Sequence, residues 1–109
     1  EGIGATLGPM SAYILVTLTI HDRDTYQRYV QAFVPAFTAL GGEILAVQDD
    51  PVAMEGSWPY SRVVILRMPS EEAFRAWYDS PEYQAIAQHR FKAAVANITV
   101  LPEFRMPSR

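Results

Sequence analysis

From Ala12 to Ile20 the positions Ala12, Ile14, Val16, Leu18 and Ile20 are all apolar, and Tyr13, Leu15, Thr17 and Thr19 between them are mixed. Period two with many β-branched residues predicts a strand, one face fully buried and the other only partly polar. The period changes after His21-Asp22-Arg23-Asp24. Tyr26, Tyr29, Val30, Phe33, Val34, Phe37 and Leu40 recur at steps of three and four, which predicts an amphipathic helix capped by Asp22 or Asp24. Pro35 lies inside it and predicts a kink near Gln31 or Ala32. Gly41-Gly42 ends it, because glycine accepts the left-handed conformation needed there. Glu43 to Gln48 is a second strand, with Ile44 and Ala46 on one side and Leu45 and Val47 on the other. Asp49-Asp50-Pro51 forces a turn. A third strand, Arg62 to Met68, is apolar on both faces: Val63 and Ile65 oppose Val64 and Leu66.

Ser70, followed by Glu71 and Glu72, starts a helix with Phe74, Trp77 and Tyr78 on its buried side. Ser80-Pro81 restarts it, the serine as cap and the proline at its favoured first position. The new segment is expected to bury Tyr83, Ile86, Ala87, Phe91 and Ala94. Val95 to Leu101 is the fourth strand, ended by Pro102. The order strand, helix, strand, strand, helix, strand predicts an α+β fold, the ferredoxin-like βαββαβ with a four-stranded antiparallel sheet. Two helices can cover one face of such a sheet. The other face should then be polar if it meets water, yet every strand carries apolar residues on both sides. A patch of that kind marks an interface, and a second copy placed sheet to sheet with two-fold symmetry covers it most simply. The alternative is a monomer whose sheet is covered by the tail and the long loop.

Composition changes this picture little. The chain has 109 residues, half of them hydrophobic, which fits one ordinary globular domain. Residues 10–101 form that domain and 102–109 a short tail. Residues 1–9 hold three of the six glycines and no periodicity; they read as an expression remnant ahead of a natural start at Met10, or else as a native flexible arm. There is no cysteine, which excludes disulfides, thiolate metal sites and a cysteine nucleophile and is compatible with the cytoplasm. No apolar run approaches the roughly 20 residues that cross a bilayer. Net charge is −3 with scattered basic residues, not the basic stripe of a nucleic-acid binder. No phosphate-cradling glycine loop, paired metal-ligand histidines or activated nucleophile is visible, so no cofactor or metal is expected.

Candidate chemistry gathers around Met54-Glu55-Gly56-Ser57-Trp58-Pro59-Tyr60-Ser61-Arg62. At 100° per residue Arg90 falls within about 20° of Tyr83, so a guanidinium emerges on the buried side of its helix. It must be paired or reach water along its own stem. Glu55 is its natural partner, with Arg62 as a second cation. The cluster is either an ion pair that fixes the loop or a site for an anionic ligand. Trp58 is a lid over a cavity or an anchor at the dimer contact. Trp77 and Tyr78 read first as core, with Tyr78 and Tyr83 as further candidates to touch a ligand. His21 and His89 have no metal-ligand spacing, which leaves an axial haem ligand as a weak alternative.

Tyr13-Ile14, Gly41-Gly42, Glu55-Gly56-x-Trp58, Arg62, Ala73-x-x-x-Trp77-Tyr78-x-Ser80-x-x-Tyr83 and Arg90 together resemble the domain of unknown function 1330 family, from about Met10 to Leu101. A proline in the first helix is also similar to family usage. Gln48-Asp49-Asp50-Pro51 departs from it, where the family tends to have a glycine-containing turn. The resemblance implies a dimeric α/β barrel, two ferredoxin-like sheets closed face to face. Relatives in that superfamily include cofactor-free monooxygenases of quinol-like substrates, muconolactone isomerase, haem peroxidases of the dye-decolourising type and small proteins without known activity. The fold does not choose among them. The expectations are therefore a pocket for a small acidic or aromatic metabolite near Glu55, Trp58 and Arg90, or a small cofactor-independent enzyme with Glu55 moving the proton. In either case Arg62 and Arg90 would bind the anionic group.

Overall fold

The structure of the protein, a computed structural model, describes residues 10–107. The reading of residues 1–9 lies outside the described residues. Four strands, β1 (Ala12–Ile20), β2 (Glu43–Gln48), β3 (Arg62–Met68) and β4 (Ala94–Pro102), alternate with three helices, α1 (Arg23–Ala39), α2 (Glu71–Tyr78) and α3 (Pro81–Ala93). The sheet order is β2-β3-β1-β4 with every neighbouring pair antiparallel. This is the ferredoxin-like arrangement, with the first and third strands, β1 and β3, in the middle and β2 and β4 at the edges.

Local chemistry sets the boundaries. The Asp22 carboxylate accepts from the Thr25 amide and caps α1. Ser70 and Ser80 do the same for α2 and α3, with Pro81 opening α3. Gly41 takes φ +84° after α1, and Gly42 packs so closely on Phe37 that a Cβ there would stand 2.5 Å from the ring. The chain therefore turns directly under its own helix and enters β2. Ser61 pins the start of β3: its amide donates to the Leu18 carbonyl at 2.7 Å, and its hydroxyl accepts from the Ile20 amide.

Ile14, Val16 and Leu18 of β1 and Leu66 and Met68 of β3 point to the helices and meet Tyr26, Tyr29, Phe33 and Phe37 of α1 and Phe74, Tyr83 and Ala87 of α2 and α3. Two sequence readings change here. A β-bulge between Ile44 and Ala46 inserts one residue against Ile65, so Ile44 and Val47 share the helix side instead of opposing each other. Phe91, expected to be buried, is 49% exposed; its ring lies under the Arg90 guanidinium carbon at 4.9 Å. The opposite sheet face carries Tyr13, Leu15 and Thr17 of β1 across from Arg67, Ile65 and Val63 of β3, and Leu101, Thr99 and Asn97 of β4 on the other side. No helix covers it among the described residues.

Candidate functional site

The α1 stripe has one consequence beyond packing. Tyr26, Tyr29, Phe33 and Phe37 follow at steps of three and four, and their rings stack in sequence, Tyr29 on Phe33 at 5.4 Å and Phe33 on Phe37 at 4.9 Å. Trp77 leans on both Phe33 and Phe37, and also on Tyr83 at 4.6 Å. This row of flat side chains stands over a sheet floor of β-branched and aliphatic residues. Between them lies a cavity of about 90 Å³, with Val16, Val64 and Ile98 on the floor, Phe33, Trp77 and Tyr83 above, and Arg62 and Arg90 at its polar places. Two larger hollows, about 490 and 450 Å³, are open depressions beside Tyr78 along β4. They offer little enclosure, whereas binding sites for small molecules bury most of the ligand.

Arg90 is the unusual member. It is only 5% exposed, and its Nε has no hydrogen-bond partner. Its Nη2 donates to the Tyr83 hydroxyl over a long 3.4 Å, and that hydroxyl shares a 2.8 Å hydrogen bond with Tyr29. The guanidinium also lies 5.7 Å from the Tyr29 ring centre, a cation–π contact. Burial opposes its charge, and the Tyr83 and Tyr29 phenols more than offset this, so its pKa lies above the ordinary arginine value. Tyr29 moves far above the ordinary phenol range, chiefly through burial. Tyr26 moves the same way for the same reason, with Arg62 and Arg90 opposing.

Arg62 is satisfied in contrast. Nε and Nη2 reach the two oxygens of Asp49, the second at 3.1 Å, and its guanidinium carbon lies 5.4 Å from the Tyr26 ring centre. Arg23 joins from α1 at 3.3 Å. The Arg62 hydrogen bond is the main cause that holds the Asp49 carboxyl below its usual range. Because the folded pKa is the lower one, this contribution is present above about pH 4 and is lost as pH falls through the folded value. The pair is partly exposed, so Asp49→Asn should cost at most about 1 kcal/mol at pH 7. Urea melts at pH 7 and near pH 2 check this: the gap between variant and wild type should close in acid, and an equal gap at both values would refute the ion pair as its source.

The remaining expectations separate. Tyr83 and Arg62 line the cavity with Arg90. Tyr78 does not; it is half-buried, 5.3 Å ring to ring from Tyr83, and lines the outer hollows. Trp58 sits on the β2–β3 loop edge-on to Tyr60 and is 38% exposed, away from the cavity lining. The expected Glu55–Arg90 pair is not formed: Glu55 is exposed on that loop, and neither residue makes an ion pair among the described residues. The loop departs outward after Asp49, whose carboxylate takes the arginine at the cavity mouth instead. Neither carboxylate nor imidazole lines the cavity among the described residues. No group of three or more potential ligands there could hold a metal ion, and no helix is long and apolar enough to cross a membrane. Tyr29 and Tyr26 were read from sequence as helix core alone. Their signal was present: phenols placed one turn apart on the same face as the cavity need polar partners when buried.

Residues 11–104 match the family model described as domain of unknown function, DUF1330. Comparison with functionally curated proteins gives no match. Among solved structures, a protein of unknown function from Rhodopseudomonas palustris is similar at TM-score 0.76 and 19% identity, over 94% of this chain and 89% of that one. SnoaB, a cofactor-independent oxygenase from Streptomyces nogalater, is similar at TM-score 0.65 and 12% identity, over 89% and 96%. A dimeric ferredoxin-like protein of unknown function from Thermobifida fusca is similar at TM-score 0.54 and 18% identity, over 85% and 92%. At these identities the likeness is one of fold.

Proposed function

The chain belongs to the DUF1330 family, and we propose that it binds a small acidic or aromatic metabolite in the cavity between α1 and the sheet, as a homodimer. One observation carries the binding reading: a buried guanidinium, Arg90, stands without a carboxylate partner at the wall of a cavity otherwise built from aromatic and aliphatic side chains. A buried cation that packing alone does not need is a feature of sites, where local stability is given up for recognition. The roughly 300–1,000 Å³ of pockets for drug-sized ligands exceeds this cavity, so the ligand is small. Arg90, Tyr83 and Arg62 touch it; its flat part lies against the Trp77 and Phe33 side of the wall. Glu55, Trp58 and Tyr78 act outside the cavity, on the loop and along β4. The homodimer rests on the uncovered sheet face, with Leu15, Ile65, Val63 and Leu101 on it, and on the dimeric neighbours of the same fold.

A second reading, a small cofactor-independent enzyme, draws on the likeness to SnoaB. Its weak point is the base. The exposed position of Glu55 gives no support to proton transfer in the cavity, and burial makes two of the phenols that line it, Tyr26 and Tyr29, hard to ionise. The weaker haem reading has no histidine on the wall of any of the three hollows.

Backbone amide shifts in an NMR titration with small aromatic metabolites test the binding reading. Saturable shifts centred on Val30, Phe33, Val64 and Trp77 are expected. Shifts confined to the hollows along β4, around Asp79 and Val100, or none at all, would count against it.

A further inference from the structure

The two arginines of the cavity present the same edge in two states. In Arg62, Nε and Nη2 together hold the two oxygens of the Asp49 carboxylate. In Arg90, Nη2 has a 3.4 Å bond to a phenol and Nε has nothing. The first is the side-on fork that suits a carboxylate, two parallel N–H donors to two oxygens. The second is that fork without its carboxylate, in a residue that is 5% exposed.

Counting protons adds a third donor. The hydroxyls of Tyr29 and Tyr83 share one hydrogen bond of 2.8 Å, which uses one of their two protons. Arg90 only donates to Tyr83, so it takes up no proton from the pair. One phenol O–H therefore remains to be given to an acceptor. The polar end of the cavity is thus rich in donors, with no carboxylate lining it among the described residues. An amine would bring donors to donors, and an amide would offer one acceptor oxygen beside an NH2 donor. A ligand with acceptors only, negatively charged and with two oxygens in one plane, answers the whole set.

Resting on the cavity reading above, we infer that the ligand is an aromatic or similarly flat monocarboxylic acid, its carboxylate held side-on by Nε and Nη2 of Arg90 and bonded by the remaining Tyr29–Tyr83 hydroxyl proton. Its flat body lies toward Phe33 and Trp77. Arg62 does not share the carboxylate, because Asp49 already occupies its fork; a dicarboxylate would have to break that pair.

Isothermal titration at pH 7 with benzoate, benzamide, phenylacetate, phenylacetamide and 4-nitrophenolate tests the class. Hydrogen bonds to a charged group are worth about 1.5–3 kcal/mol, so each acid should bind roughly 10–100-fold more tightly than its amide. Arg90→Lys keeps the charge and removes the fork; it should erase most of the acid's advantage and leave amide affinity within about threefold. Acid and amide binding equally would overturn the carboxylate assignment while the cavity reading stood. Nitrophenolate binding more tightly than benzoate would overturn it in favour of a single oxyanion. If none of the five binds, and none shifts the amides of Val64 and Trp77, the carboxylate assignment and the cavity reading fall together. The comparison of acid with amide is made on the wild-type chain and so does not depend on the variant folding.

Discussion

Ile65→Lys is expected to abolish self-association: the wild type should sediment as a dimer at micromolar concentration, and the variant as a monomer or as aggregate. Ile65 is the natural place to strike. It sits on the uncovered face in register with Leu15 of β1 on one side and Ala46 of β2 on the other. A charge at the centre of an apolar contact must be buried without a partner, which costs several kcal/mol. At roughly 1.4 kcal/mol per decade this raises the dissociation constant by a hundredfold or more. Size supports a contact that extends beyond the strands. Four strands about 4.8 Å apart and some seven residues long at about 3.3 Å each project only about 440 Å². A standard interface covers about 800 Å² per partner. Exposed apolar residues outside the strands are available to supply the remainder: Val52 and Met54 on the β2–β3 loop, Phe104 and Met106 on the tail. The start of the tail is held beside the start of β1, because the Glu103 carboxylate accepts from the Ser11 amide and the Glu103 amide donates to the Ser11 carbonyl. A wild-type protein that stays monomeric and soluble at micromolar concentration would remove the homodimer from the proposed function, and the uncovered face would need another explanation.

The uncovered face was legible because period two shows both sides of a strand at once, and β1 and β3 carry apolar residues on both sides, Leu15, Ile65 and Val63 among them on the uncovered one. Capping was legible for the same local reason: Asp22, Ser70 and Ser80 act within three residues of their own positions. Strand β2 was harder. A bulge is one residue of slip, and nothing in Ile44-Leu45-Ala46 announces it; only pairing with β3 creates it. The candidate site divides along the same line. Arg90 on a buried face followed from helical phase alone. Its surroundings did not, because Tyr29 lies on a different helix, 54 residues from Tyr83. Asp49 could have been found. Gln48 pairs with Val63, so one step further along the hairpin brings Asp49 opposite Arg62. Reading Asp49 only as a turn residue hid that contact and left Arg62 as a second cation beside the expected Glu55–Arg90 pair.

Arg90→Met should make the protein more stable and unable to select acids. The wild-type guanidinium is buried with one donor unmet, and an unsatisfied buried polar group costs about 1–3 kcal/mol. Its raised pKa does not contradict this. The favour from Tyr83 and Tyr29 is largely Coulombic and requires phenolates, whereas burial keeps Tyr29 protonated at pH 7. At neutral pH the desolvation remains, offset only by one long hydrogen bond and two ring contacts. Methionine fills similar space against the same rings without a charge, and the Tyr29–Tyr83 bond survives the change. A gain of about 1–2 kcal/mol is expected, visible as a higher urea midpoint with an unchanged slope. The same variant should bind benzoate no better than benzamide. A residue kept at a cost to stability is one kept for recognition, and this pairing of gain and loss distinguishes that role from a structural one. If Arg90→Met instead lowers stability by 1 kcal/mol or more, the guanidinium belongs to the fold, holding Tyr29, Tyr83 and Phe91 together, and the carboxylate site loses its foundation.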